Sequence, residues 1–76
     1  MLDTLGRVQY YMTMKTNINE VKFLQPGMTY IGREGWWLKI EKVKVSASRV
    51  VIESTNSFNE PVKEHYHKFA HVEVIL

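Results

Sequence analysis

Large apolar residues alternate with polar ones in several short stretches of this chain. Between Val8 and Thr16 an apolar residue stands at every second position, and the same period returns after Trp36 and toward the C-terminus. A period of two is typical of strands that bury one face against a core. The pattern therefore predicts strands over 8–16, 28–31, 36–45, 49–54 and 70–76.

The alternation that starts at Trp36 slips by one residue after Ile40. Such a slip is typical of a β-bulge, because an extra residue on one strand moves every later side chain to the other face. We therefore predict a bulge near residues 41–42 and a sharp bend in the strand. Residues 46–48 are small and favour a turn, so that residues 36–54 form a long, bent hairpin.

Two segments have features of short helices. Asn17 stands three residues before a glutamate, as in a capping box, but the segment 17–25 fits an extended strand equally well, and both alternatives stay open. Asn59 ahead of Pro61 matches an N-cap followed by proline in the first turn, which predicts a helix through about Lys68.

These elements together predict a mainly β, β-rich α+β fold in a single small domain of residues 1–76. The expected architecture is a bent antiparallel sheet or a partly open SH3-like barrel, with about five strands and one or two short helices. In "FLQPGMTYI", "WLKIEKV" and "RVVIES" the chain resembles small barrels of the SH3-like and KOW type, in which a Pro-Gly turn precedes a barrel strand. This resemblance implies a barrel-like fold and assigns no functional residue.

Composition excludes several classes of protein. The 76 residues include no cysteine, so neither a disulfide framework nor a thiolate metal site can form. No apolar run approaches the roughly 18–20 residues of a membrane helix, and the N-terminus lacks the pattern of a secretory signal. We expect a cytoplasmic protein that does not bind membranes. Its net charge of only +2 is by itself too small to indicate nucleic-acid binding.

The adjacent tryptophans are the most informative side chains. Neighbouring residues on a strand point to opposite faces, so Trp36 is expected in the core with Leu38 and Ile40. Trp37 is then expected on the polar face with Lys39. An exposed tryptophan is typical of interface hot spots and of stacking platforms. The alternative is that another part of the same chain covers Trp37.

The preferred hypothesis is a non-enzymatic adaptor or inhibitor that binds a larger protein. Its predicted contact residues are Trp37, Tyr11, Lys39 and Arg33. Pairing through an exposed edge strand is the alternative mode of contact. The C-terminal strand ends in apolar residues, so its edge is also a candidate for self-association.

The second hypothesis is a small barrel that binds single-stranded DNA or RNA. Trp37 and Tyr11 would stack on bases, since each stack contributes about 1–3 kcal/mol. The predicted phosphate contacts are Lys15, Lys39, Lys42, Lys44 and Arg49. Steep salt dependence separates this hypothesis from a largely apolar protein interface.

Metal binding and catalysis have little support in the sequence. On a strand His65 and His67 share a face, but His71 lies too far along the chain for one zinc ion to reach all three. We therefore predict no metal and no other cofactor. The chain has no nucleophile motif and no phosphate-binding loop, so we also predict no enzymatic activity.

Overall fold

The structure is a computed structural model that describes residues 15–76. These residues form one antiparallel sheet of six strands in the order β1-β6-β2-β3-β4-β5, and the sheet is open. The strands are β1 Thr16–Glu20, β2 Thr29–Ile31, β3 Trp37–Val45, β4 Arg49–Thr55, β5 Pro61–His67 and β6 His71–Ile75. The predicted β-rich class is confirmed. Most of the predicted strand 8–16, including Tyr11, lies outside the described residues.

The long hairpin has the predicted bend. The pairing of β3 with β4 shifts register between Ile40 and Lys42, which confirms the bulge. The turn of the hairpin is closed by the Ser46 N–H, which donates to the Arg49 carbonyl at 2.8 Å. Gly27, in the turn before β2, has a φ of +93°, the left-handed geometry that the Pro-Gly pair predicts.

The C-terminal strand is an interior strand of the sheet. It pairs with β1 from Thr16↔Ile75 to Glu20↔His71, and on its other side with β2 through Thr29↔Ile75. The prediction that its edge is free for self-association is therefore wrong. Within residues 15–76 the outermost strands are β1 and β5.

Residues 59–68 contain β5, so the predicted helix there is wrong. Asn59 has a φ of 62° in the turn between β4 and β5, a conformation that asparagine tolerates better than most residues. The asparagine therefore marks a turn and not an N-cap. Glu64 points toward the core between Val62 and Tyr66. A charged residue at an inward position interrupts the alternation of apolar and polar residues, so the sequence pattern does not predict this strand.

The open choice for residues 17–25 is resolved as strand and turn. Most of β1 lies in this segment, and a single 3-10 turn at Val21–Phe23 follows it. Val21 and Leu24 are buried and pack in the core that lies on one face of the sheet. The other core members are Tyr30, Leu38, Ile40, Val50, Ile52, Tyr66, Val72 and Val74. Nowhere in residues 15–76 is a helix long and apolar enough to cross a membrane.

Candidate functional site

The face of the sheet that points away from the core presents Trp37. Backbone pairing places Trp37 opposite Ile31, Ile31 opposite Glu73, and Glu73 opposite Ile18. Directly paired residues share a face, so these four side chains form one row across β3, β2, β6 and β1, here called the Trp37 row. Ile18 is 61% exposed and Trp37 is 44% exposed. The row therefore presents apolar surface to solvent.

The surroundings of the Trp37 row contain charges of both signs. Lys39 lies two residues along β3 on the same face, where it pairs with Thr29 of β2. Glu41 follows on β3 and accepts a hydrogen bond from the Thr55 hydroxyl at 3.1 Å. The predicted placement of Trp37 and Lys39 on the polar face is confirmed.

Trp36 is not a core residue, so that prediction is wrong. Its side chain is 41% exposed and packs edge-on against Phe58, with ring centroids 5.7 Å apart. The strand begins one residue later at Trp37, opposite Ile31, where β2 ends. Beyond that pair, β2 supplies no neighbour to cover an inward-facing side chain. Trp36 lines an open cleft together with Leu38 and Val62, so it stays on the core side of the sheet without being covered, and both indoles are partly exposed.

A single carboxylate connects strands that are not neighbours in the sheet. Glu64 of β5 accepts hydrogen bonds from the Tyr30 hydroxyl at 2.8 Å, from the Tyr66 hydroxyl and from the Arg33 backbone N–H at 3.0 Å. Tyr30 lies in β2 and is fully buried, so its hydroxyl requires an internal acceptor. Glu64 provides that acceptor and links β5 to β2.

The two tyrosines make the fold sensitive to alkaline pH. Burial and the hydrogen bond to Glu64 raise the pKa of Tyr66 from 10.0 to about 12, and the same causes raise the pKa of Tyr30. Each phenol therefore stabilises the fold fully below its unfolded pKa, and this contribution is lost as pH rises toward the folded pKa. We expect the urea concentration at the midpoint of unfolding to decrease as pH rises above about 10. Tyr66→Phe should reduce that slope, and an unchanged slope would contradict this assignment.

Arg33 lies beside β5 and not beside Trp37. Its Nη2 donates a hydrogen bond to the His65 carbonyl, and its guanidinium carbon is 4.4 Å from the centre of the Tyr66 ring. The predicted grouping of Arg33 with Trp37 and Lys39 is therefore wrong. A contact between distant segments determines its direction, which local spacing does not reveal.

The other predicted cations are distributed over the sheet. Lys42 and Lys44 lie on β3 near and beyond the bulge, and the Lys44 Nζ is 3.1 Å from a Glu53 carboxylate oxygen. The pKa of Glu53 is lowered mainly by its hydrogen bond to Lys44 and by the charge of Lys44. The charges of Lys63 and Lys42 lower it further. Lys15 precedes β1, at the opposite end of the strand order from β5. These cations do not form one group around Trp37.

A cleft of about 530 Å³ opens beside β5. This cleft, here called the basic cleft, is lined by Arg33, Ser48, Arg49, His65, Tyr66 and His67. The sequence predicted Arg33 as a contact residue beside Trp37 and Arg49 as a phosphate contact. It did not predict that either arginine lies near the histidines. The only available signal was the shared face of the two histidines on an extended segment.

The described part of the chain, residues 15–76, has no group of three or more His, Cys, Asp or Glu side chains placed to hold a metal ion. His65 and His67 line the basic cleft, whereas His71 lies on β6. No protein-family model, no curated protein and no solved structure matches the chain.

Proposed function

We propose that this chain is a non-enzymatic interaction module, an adaptor or inhibitor that binds a larger protein through the Trp37 row. The main supporting observation is an indole that is 44% exposed at the end of a row on the outer face of the sheet in which Glu73 is the one charged member. Tryptophan is among the residues most enriched at interface hot spots. The lack of cysteine fits a reducing compartment, so we place this activity in the cytoplasm.

The row is held rigidly enough to act as an anchor. Ile31 has paired neighbours on both sides, namely Trp37 on β3 and Glu73 on β6. A surface whose backbone is already ordered loses little conformational freedom when a partner binds. The structure of the sheet therefore favours binding without a folding step.

Mixed charge around the row favours a protein partner over nucleic acid. Lys39 lies on the same face as Glu73 and Glu41, whose carboxylates would repel phosphate. Protein interfaces, in contrast, commonly surround an apolar centre with polar groups of both signs. The nucleic-acid hypothesis also required Lys15 and Arg49 near the indole. Arg49 instead begins β4 at the turn of the hairpin, the end of β3 opposite to the indole, and Lys15 precedes β1. Nucleic acid is therefore the competing outcome of the test.

The row is also a better contact surface than the edge of β5. Pro61, the first residue of β5, has no N–H to donate, and proline is typical of protected edge strands. Arg33 already donates to the His65 carbonyl of the same strand. Both features reduce the ability of β5 to pair with the strand of another protein.

We expect Trp37→Ser to weaken binding of the partner by at least about tenfold, because an anchor side chain is lost. The exposed position of Trp37 leaves the core intact. The partner would be captured in parallel from untreated and nuclease-treated lysate, identified, purified and titrated with the chain by calorimetry. Trp36→Phe is the matched control, since it alters the other half-exposed indole and should leave the affinity unchanged.

Three results would overturn the proposal. One is an affinity that Trp37→Ser leaves unchanged. Another is an equal loss in Trp36→Phe, which would indicate a general effect on the hairpin. The third is binding that nuclease removes and that weakens steeply with salt, which would replace the protein partner with nucleic acid.

A further inference from the structure

We propose that the basic cleft binds a phosphate ester of about the size of a nucleotide. This site is separate from the Trp37 row and does not depend on it. Arg33, Arg49, His65 and His67 are among the lining residues, and no Asp or Glu is. The cleft therefore has the composition of an anion site.

Arg33 is positioned before any ligand binds. One of its N–H groups donates to the His65 carbonyl, and its guanidinium lies 4.4 Å from the centre of the Tyr66 ring. A guanidinium has five N–H donors, so this hydrogen bond leaves most of them for a ligand. Its planar fork matches two phosphate oxygens at once. A fixed guanidinium also loses less freedom on binding.

The remaining donors come from segments that backbone hydrogen bonds hold together. Arg49 at the start of β4 is paired with His67 at the end of β5. The Ser48 carbonyl accepts a hydrogen bond from the Lys68 N–H at 3.1 Å, which joins the turn before β4 to the turn after β5. Ser48 is itself a lining residue. The arginines and histidines therefore face one cleft because of the fold, although the sequence separates them.

Among the described residues no ion pair neutralises the arginines of the cleft. Within residues 15–76 neither Arg33 nor Arg49 has a carboxylate at ion-pair distance. Glu64 bonds the Arg33 backbone N–H and two tyrosine hydroxyls. Two arginines at one cleft raise its positive potential, which attracts an anion.

The volume of the cleft indicates the size of the ligand. Small-molecule sites commonly measure about 300–1,000 Å³, and the basic cleft falls within that range at about 530 Å³. A phosphate group alone would fill only part of it. We therefore assign the remaining space to the organic part of a phosphate ester.

The test is a titration followed by NMR, with three probes on the full chain: inorganic phosphate, a nucleoside 5′-monophosphate and the same nucleoside without phosphate. We expect saturable shifts of the backbone amides of residues 48–49 and 65–67 with the monophosphate, and none with the nucleoside. Arg49→Gln should weaken binding about tenfold, as expected for the loss of a charge-assisted hydrogen bond. Lys15→Gln removes the same charge beside β1 and should have no effect.

A second variant, Arg33→Lys, keeps the charge but removes the planar fork, and it should also weaken binding. Equal effects of Arg49→Gln and Lys15→Gln would overturn the proposal, because they would indicate general charge attraction. The absence of saturable shifts with both phosphate probes would overturn it as well. Tighter binding of a short single-stranded oligonucleotide would support the site and identify nucleic acid as the source of the phosphate. Trp37→Ser should leave phosphate binding unchanged, so the two proposals fail separately.

Discussion

Replacement of Glu64 with alanine is expected to lower the free energy of unfolding by about 3 kcal/mol or more. The carboxylate accepts hydrogen bonds from the hydroxyls of Tyr30 and Tyr66 and from the Arg33 backbone N–H. Tyr30 is fully buried and Tyr66 is 7% exposed, so water cannot easily replace the lost acceptor. Urea unfolding followed by circular dichroism measures the change.

The same mechanism predicts a rescue. Removing the donors together with the acceptor leaves no unsatisfied hydroxyl, so Glu64→Met with Tyr30→Phe and Tyr66→Phe should recover much of the lost stability. Glu53→Gln is the control, because Glu53 lies on the neighbouring strand in a surface ion pair, and it should change stability far less. A triple variant less stable than Glu64→Ala would contradict the assigned role of Glu64.

Substitution of Gly32 with alanine is expected to destabilise the fold by about 2 kcal/mol, through overpacking at the end of β2. A Cβ at this position would lie 2.6 Å from Leu38 Cδ1 and 3.0 Å from Glu64 Oε2. The leucine is buried in the core, and three hydrogen bonds hold the carboxylate. Neither group can therefore move away freely. Chemical denaturation of the purified variant measures the change.

A double-mutant cycle separates this steric mechanism from a general effect on the turn. Leu38→Val shortens the side chain that the new methyl group would meet, so Gly32→Ala should destabilise less in that background. Equal destabilisation in both backgrounds would show that the contact with Leu38 is not the cause. The steric explanation would also be contradicted if Gly32→Ala had no measurable effect alone.

Both predictions concern the contact between β5 and the turn after β2, which lies next to the basic cleft. Glu64 bonds the backbone of Arg33, while the Arg33 side chain bonds the carbonyl of the next residue, His65. The position of the cleft therefore depends on the contact between β5 and the turn after β2. In Glu64→Ala, phosphate binding should weaken even under conditions where the chain is folded, because Arg33 loses its support.

The parts of the fold that sequence predicts are those set by local pattern. The slip in alternation after Ile40 predicted the bulge, because a register shift within one strand changes the order of apolar and polar residues. Helical features at Asn59 and Pro61 concealed β5, because the same residues suit a turn before a strand. The insertion of β6 between β1 and β2 joins distant segments, and no local period encodes that pairing.

The same distinction applies to the candidate site. Local pattern predicts some of its residues, and contacts between distant segments determine the others. Alternation placed Trp37 and Lys39 correctly, because both lie within a regular strand. It failed at Trp36, which lies one residue before the strand begins. The basic cleft was missed because Arg33, Arg49 and the histidines come from separate segments that strand pairing and the contact of Arg33 with β5 bring together.

The most direct test of the central claim is acrylamide quenching of tryptophan fluorescence in Trp36→Phe, where Trp37 is the only indole. If the Trp37 row is open to a partner, emission should lie near that of tryptophan in water and should be quenched steeply, as expected for a side chain that is 44% exposed. Blue-shifted emission that resists quenching would contradict the account, because another part of the same chain would then cover the proposed contact surface.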